Sequence, residues 1–142
     1  MKDMQVLIDT NIIVDTIQER QPYSSNSKQI LALCIANKIN GYITAHSLCD
    51  LFYILRKDMN ESERLSIINH LCKYLTVISE FQADFINVTN NRKTTDLEDG
   101  LQMICAEKYH LDYIITRNVK DFTHSHVLAI LPQDFLEIID KT

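Results

Sequence analysis

Asp9, Asp50 and Asp99 are the residues of this chain whose surroundings most favour chemistry. Val6-Leu7-Ile8 runs straight into Asp9, and Leu48, Leu51 and Phe52 surround Asp50. Met103 and Ala106 continue the helical stripe that starts at Asp96 and Asp99. An ionised carboxylate among apolar residues is costly unless it is paired or bound to a metal. Asp96 and Asn118 supply further oxygen donors nearby in the pattern. Oxygen ligands without His or Cys suit the hard divalent ions Mg²⁺ and Mn²⁺. Such an ion also relieves the repulsion among clustered carboxylates. The chemistry natural to that set is metal-assisted phosphodiester hydrolysis, in which the ion acidifies water and stabilises the departing oxygen. Each residue has a plainer reading when taken singly. Asp9 is equally an N-cap. Asp50 shares an angular position with Lys57, as on a solvated strip. Asp96 is an ordinary dipole partner in a first turn, and Asn118 is a turn former. Only their convergence on one cleft favours catalysis.

The elements that must bring them together are legible as alternating patterns. Residues 4–9 read as a buried strand that turns into a helix over 11–18. The Glu19-Arg20-Gln21-Pro22 break is followed by a helix over 24–37 and a short strand over 41–44. The helix over 46–57 is apolar nearly all round, which predicts cover on most sides. Asn60, with Glu63 three residues on, opens a helix to about residue 74. A strand over 75–78 and a helix over 83–90 follow. Thr95-Asp96-Leu97-Glu98 reads as a capping box with Thr95 as the cap, opening a helix to about residue 110. On that helix Glu98 falls on a different stripe from Asp99, with Gln102 and Tyr109. Strands over 113–116 and 127–131 precede a helix that Pro132 opens. Strands alternating with helices imply parallel pairing with helices on both faces. In such sheets ligands bind at the carboxyl ends of the strands. If the first and fourth strands are neighbours, Thr116 and Asn118 emerge beside Asp9. Thr10 and Asn11 then shape the turn and hold the Asp9 carboxylate.

Bulk properties narrow the field. The 142 residues suffice for one domain, spanning 1–142, with a real core. The absence of an N-terminal apolar leader or a long apolar run gives the expectation of a cytoplasmic protein without a membrane span. A net charge of −5 argues against a protein that coats nucleic acid through bulk positive charge. It leaves room for a nuclease, because clustered metal ligands themselves make the count acidic. Arg92, Lys93, Arg117 and Lys120 flank the acidic motifs and are candidate contacts to RNA phosphates. Cys34, Cys49, Cys72 and Cys105 have no CxxC pairing and read as buried free thiols. The five histidines, His46 included, read as structural or surface residues. No Ser-His-Asp arrangement, GxGxxG or P-loop motif occurs in the sequence.

The chain resembles the PIN-domain family, in particular the VapC-like toxin ribonucleases, over nearly its whole length. The resemblance rests on Leu7-Ile8-Asp9-Thr10-Asn11, Ser47-Leu48-Cys49-Asp50-Leu51, Asp96-Leu97-Glu98-Asp99-Gly100-Leu101 and Thr116-Arg117-Asn118 with Lys120-Asp121-Phe122. Each motif is weak alone; their order on the expected elements makes the match. The resemblance implies a three-layer α/β/α sandwich around a short, mainly parallel sheet. It implies Mg²⁺- or Mn²⁺-dependent cleavage of RNA, a homodimer and a small antitoxin partner. Asp9 and Asp99 carry over as direct metal ligands, Asp50 as the second acid, Asn118 as the fourth position and Asp96 as an additional acid. Two positions depart from the pattern. The second is usually glutamate, one methylene longer than Asp50, and the fourth is often aspartate where Asn118 stands. Those departures sustain an alternative: a PIN-like module, weakened in catalysis, that binds RNA or protein. A phosphotransferase with a strand-end aspartate fits less well. One type expects an aspartate where Asn11 stands, and the other a late lysine where Thr116-Arg117 stands.

Overall fold

The computed structural model describes residues 3–91 and 96–141. The candidate phosphate contacts Arg92 and Lys93, and the expected cap Thr95, lie outside the described residues.

The chain opens with β1 (Gln5–Ile8), which turns at Asp9 into α1 (Thr10–Ile17). α2 (Ser24–Ile35) returns it to β2 (Asn40–Thr44), and α3 (Ala45–Ile54) leaves the end of that strand. α4 (Glu61–Tyr74) runs directly into β3 (Leu75–Ile78), and α5 (Gln82–Asn90) follows. α6 (Leu97–Lys108), β4 (Tyr113–Ile115), β5 (Ala129–Ile130) and α7 (Pro132–Asp140) complete it. A 3-10 turn over Val119–Phe122, which the sequence pattern does not announce, links β4 to β5.

All four strand pairings are parallel, in the order β3-β2-β1-β4-β5. β1 is central, which explains why Val6, Leu7 and Ile8 are all fully buried and read as a continuous apolar run. Their side chains alternate between faces, as strand geometry requires. Val6 and Ile8 join a core with residues of α1, α2, α3 and α7. Leu7 joins a second core with Met103, Cys105 and Ala106 of α6 and with Phe122 of the 3-10 turn. The result is a three-layer α/β/α sandwich, with α5 packed outside α6. Tyr113 at the start of β4 meets Phe135 of α7 edge-on at 5.9 Å, which ties the last helix to the sheet.

The strand order decides where a site can form. From β1 the chain builds outward through β2 to β3, then crosses back to lay β4 on the other side of β1. The reversal leaves a crevice beyond the carboxyl ends of β1 and β4, the place where open α/β sheets bind ligands.

Local chemistry meets expectation at one cap and departs from it in three other places. The Asn60–Glu63 capping box of α4 is present in both directions, at 2.8 and 3.2 Å. The cap of α6 is Asp96, one residue later than the Thr95 reading. Its Oδ1 accepts the Asp99 N–H at 2.9 Å. α3 is not covered on most sides: Tyr53, on the flank that borders an open cleft, is 61% exposed, and Cys49 is exposed as well. Cys34 and Cys105 are buried as expected, whereas Cys49 and Cys72 lie at the surface. Among the described residues, no helix is long and apolar enough to cross a membrane.

Candidate active site

Asp9 stands at the N-cap position of α1, yet its carboxylate makes no capping bond. It is held instead by side chains from three elements. Thr116 Oγ1 donates to Asp9 Oδ2 at 2.7 Å, Asn11 Nδ2 donates to the same oxygen at 3.1 Å, and Gln102 Nε2 donates to Oδ1 at 3.3 Å. The register explains the first contact. Ile8 pairs with Ile115, so Asp9 and Thr116 are the next residues out on adjacent strands. The Asp9 N–H also continues the ladder to the Ile115 carbonyl. Thr116 is fully buried, and its hydroxyl accepts the Asn118 N–H at 3.0 Å while donating to Asp9. That arrangement fixes the hydroxyl proton on the Asp9 side. Burial raises the Asp9 pKa, and the hydrogen bonds from Thr116 and Gln102 work against that rise.

Asp99, half-buried in the first turn of α6, has its pKa raised to about 7. Burial is the main cause; the charges of Asp96, Asp9, Asp121 and Glu98 add to it. Asp121 raises Asp9 as well, so this residue of the 3-10 turn belongs to the same acidic field. Nothing positive within the group offsets the repulsion. Two buried acceptors beside Asp9, Asn11 Oδ1 and Gln102 Oε1, have no hydrogen-bond partner. Their amide nitrogens face the carboxylate, which leaves the oxygens over. An all-oxygen donor set, mutually repelling carboxylates and two unpartnered oxygens fit a hard divalent cation.

The cleft, about 470 Å³, brings together Asp9, Thr10, Asn11, Asp50, Asp99 and Asn118, as the sequence anticipates. Asp96 does not line it; it is exposed at the α6 cap and acts on Asp99 through charge. Arg117 points elsewhere. Its guanidinium makes two hydrogen bonds, 2.5 and 3.2 Å, to the fully buried Asp15 carboxylate and stacks on Tyr23 at 4.1 Å. It neutralises a buried acid of α1 rather than offering a free cation. Lys120 is exposed on the 3-10 turn.

Sequence reasoning missed Glu98, Gln102, Arg20, Tyr53 and His46. The first four line the cleft. Glu98 lies against Asp50 as a hydrogen-bond partner, and burial followed by the Asp50 contact raises its pKa. His46 and Asp50 are four residues apart on α3, a spacing that puts them on one face; that signal was available. Gln102 shares the Glu98 stripe, which borders the cleft: Gln102 is 4% exposed and Glu98 lies exposed at its edge.

The PIN-domain family model matches residues 5–120. Among curated proteins, the chain is 26% identical over 141 residues to Ribonuclease VapC1 of Aquifex aeolicus (strain VF5), covering 96% of each. Solved structures with a similar fold include VapBC-1 from nontypeable Haemophilus influenzae (TM-score 0.68, 17% identity, 92% of this chain and 99% of that one). A toxin–antitoxin complex from Klebsiella pneumoniae gives a TM-score of 0.66 at 22% identity, over 89% and 97% of the two chains. PAE2754 from Pyrobaculum aerophilum gives 0.67 at 10% identity, over 98% and 91%. At these identities the structural likeness is one of fold.

Proposed function

The chain belongs to the PIN-domain family, and on that premise we propose that it is a Mg²⁺- or Mn²⁺-dependent endoribonuclease, the toxin of a toxin–antitoxin pair. The observation that carries the reading is the Asp9–Asp99 field at the β1/β4 crevice, with two unpartnered amide oxygens beside it. Asp9 and Asp99 would hold the ion, with Asp50 reaching it from α3 and Asp96 acting as an outer acid. When bound, a divalent ion acidifies water and offsets charge on the departing oxygen of a phosphodiester.

The remaining work falls to this chain's own side chains. Thr116, Asn11 and Gln102 lock the Asp9 carboxylate in one orientation, so that no rearrangement is needed at the moment of reaction. Thr10 shapes the turn that carries it. Asn118, exposed at the rim, offers an uncharged donor and acceptor to water or to the RNA backbone. Arg20 is the cation among the residues that line the cleft. Arg117 lies closer than Arg20 to their shared acid Asp15, at 2.5 against 3.9 Å, and Arg20 Nε donates to Gln18 Oε1 at 2.9 Å, so the terminal nitrogens of Arg20 are what it offers a phosphate. Lys120 extends that positive edge.

The test is cleavage of RNA with Mg²⁺ or Mn²⁺ by the wild type, Asp9→Asn and Asp99→Asn. Loss of activity by roughly two orders of magnitude or more is expected for each variant, since each removes a charge the ion needs. Equal rates in all three would remove the catalytic assignment.

The neutral Asn118 favours a second reading, a module weakened in catalysis that binds RNA or protein. Calorimetry separates the two: RNA binding without any Mn²⁺ binding supports the module. The toxin reading brings with it a homodimer, a protein antitoxin and a cytoplasmic site of action. The similar folds found in toxin–antitoxin complexes support the antitoxin partner.

A further inference from the structure

Asp15 and Arg117 take no part in the chemistry above, yet they begin a chain of contacts that ends in an exposed ring. Asp15 is fully buried in α1, and its carboxylate accepts two hydrogen bonds from the Arg117 guanidinium. The guanidinium, fixed in this way, lies over the Tyr23 ring at 4.1 Å. Tyr23 stands at the start of α2 and is 42% exposed. Its backbone is pinned as well. The Tyr23 N–H donates to the Arg20 carbonyl at 3.0 Å, and the Ser24 N–H donates to the same carbonyl at 2.7 Å. The ring is thus held from one face and along its backbone, while much of its surface stays open. An aromatic ring ordered before its ligand arrives loses little further freedom on stacking.

Tyr23 borders a cavity of about 610 Å³, larger than the catalytic cleft. Among the described residues no carboxylate lines it. Leu131 and Pro132, where the chain enters α7, give it an apolar wall, and Asn26 and Gln133 bring side-chain amides, each with donors and an acceptor. A ring face, an apolar wall and uncharged amides match an unpaired nucleobase, which stacks through its face and forms hydrogen bonds through its edge. Asn118 lines both this cavity and the catalytic cleft, so the two adjoin at the end of β4. A strand whose phosphate lies at the Asp9–Asp99 pair therefore carries a neighbouring base towards Tyr23. Shielding the Asp15–Arg117 pair from water accounts for one face of the Tyr23 ring. It does not account for the open remainder of the ring or for the amides around the cavity.

We propose that Tyr23, Asn26 and Gln133 form a subsite that stacks and reads one unpaired nucleobase of the RNA, beside the phosphate under attack. Tyr23 supplies the stacking face, and the two amides meet the edge of the base. Arg117 is a positioning residue: it touches the ring and not the base, and Asp15 in turn fixes Arg117. Because Asp15 neutralises the Arg117 charge, the subsite contributes affinity and base preference with little dependence on salt. The subsite rests on the reading that RNA is the substrate of the adjoining cleft, so its test reads binding separately from cleavage.

The experiment titrates the full chain, in Ca²⁺, into short single-stranded RNAs that carry one fluorescent base, 2-aminopurine or pyrrolocytosine, moved along the strand. Wild type is expected to quench that base at one position and much less at its neighbours. Tyr23→Ala abolishes the quench there and weakens binding about 10-fold, as loss of one base–aromatic stack does. The slope of log affinity against log salt stays the same in Tyr23→Ala, since no phosphate contact is lost. Tyr23→Phe keeps both quench and affinity, because the face and not the hydroxyl does the stacking. Arg117→Lys leaves Asp15 a cation without the flat guanidinium, so the folded variant quenches less. Asn26→Ala and Gln133→Ala keep the quench and narrow the preference among bases at that position. Wild-type affinity and quench in folded Tyr23→Ala, or RNA binding with no quench at any position, overturns the subsite; cleavage of RNA by the same chain in Mn²⁺ then leaves the enzyme assignment standing. The expected quench without cleavage in Mg²⁺ or Mn²⁺ overturns the enzyme assignment and leaves the subsite. No RNA binding by wild type overturns both.

Discussion

At the scale of single residues, Asp99 is the group most displaced from its ordinary state. Burial and its acidic neighbours lift its pKa to about 7, while in the unfolded chain it titrates near the ordinary aspartate value of 3.8. Between those values the folded protein holds a proton that the unfolded chain has lost. Metal-free stability from this group therefore falls as pH rises from about 4 to about 7 and is level above that. Asp99→Asn lacks the penalty. We expect the metal-free variant to melt above wild type at pH 8, by roughly 1–2 kcal/mol after allowance for solvent screening of a half-exposed group. The gap should close near pH 4. Saturating Mg²⁺ should reverse the order at pH 8, because it stabilises only the chain that binds it. Thermal melts across pH, with chelator and with Mg²⁺, check all three outcomes; a gap independent of pH would contradict the assigned cause. Arg117 carries the opposite lesson. A basic residue beside a site motif looks like a substrate contact, but a buried ion pair claims it, since Asp15 is fully buried inside α1 and Arg117 supplies its hydrogen bonds.

At the scale of elements, α2 lies close against β2 because Gly41 has no side chain. A Cβ there would come within 2.6 Å of Cys34 Sγ and 2.7 Å of Leu75 Cδ2. Both neighbours are buried, so the strain has no outlet to solvent. Gly41→Ala is expected to destabilise the fold by about 1–3 kcal/mol, as overpacking does. Adding Cys34→Ala should recover part of that loss, and urea denaturation of the two singles and the double reads the coupling. Simple additivity would show that α2 is not held by this contact. α6 illustrates how local signals mislead by small amounts. Thr95-Asp96-Leu97-Glu98 has the form of a capping box, but Asp96-Leu97-Glu98-Asp99 lies one residue on, and the structure uses Asp96 as the cap. That shift does not alter the element, though it fixes which acids enter the first turn and face the cleft.

At the scale of the whole molecule, the chain carries a net charge of −5 and a cleft lined by acids with Arg20 as its cation. An RNA-cleaving protein of this kind has to rely on few phosphate contacts. Each contact to a single strand contributes about 0.7 to the dependence of log affinity on log salt. With Arg20 and Lys120 as the contacts, KM for a short single-stranded RNA should rise with KCl with a slope of about 1–2. Arg20→Ala should lower that slope by about 0.7 and raise KM more than it lowers kcat. A slope above about 4 would contradict the few-contact cleft and point to cations contributed by another chain.

The sequence by itself determined the elements and the acids. The apolar run at residues 6–8, the short strand over 41–44 and the Asn60–Glu63 box are local signals, readable because a strand or helix imposes its period on its own residues. Asp9, Asp50, Asp99 and Asn118 stood out for the same reason: each interrupts a local pattern. Tertiary structure decided what meets what. That β4 lies against β1, placing the Thr116 hydroxyl on Asp9, depends on strand order, which no local period encodes. The meeting of His46, Asp50 and Glu98, with Glu80 behind the ring, joins residues from α3, α6 and the loop after β3. In sequence Glu98 looked like a residue of the wrong stripe and His46 like a structural or surface residue. Which side of a helix faces a cleft depends on what packs against it, and that is a property of the assembled sheet.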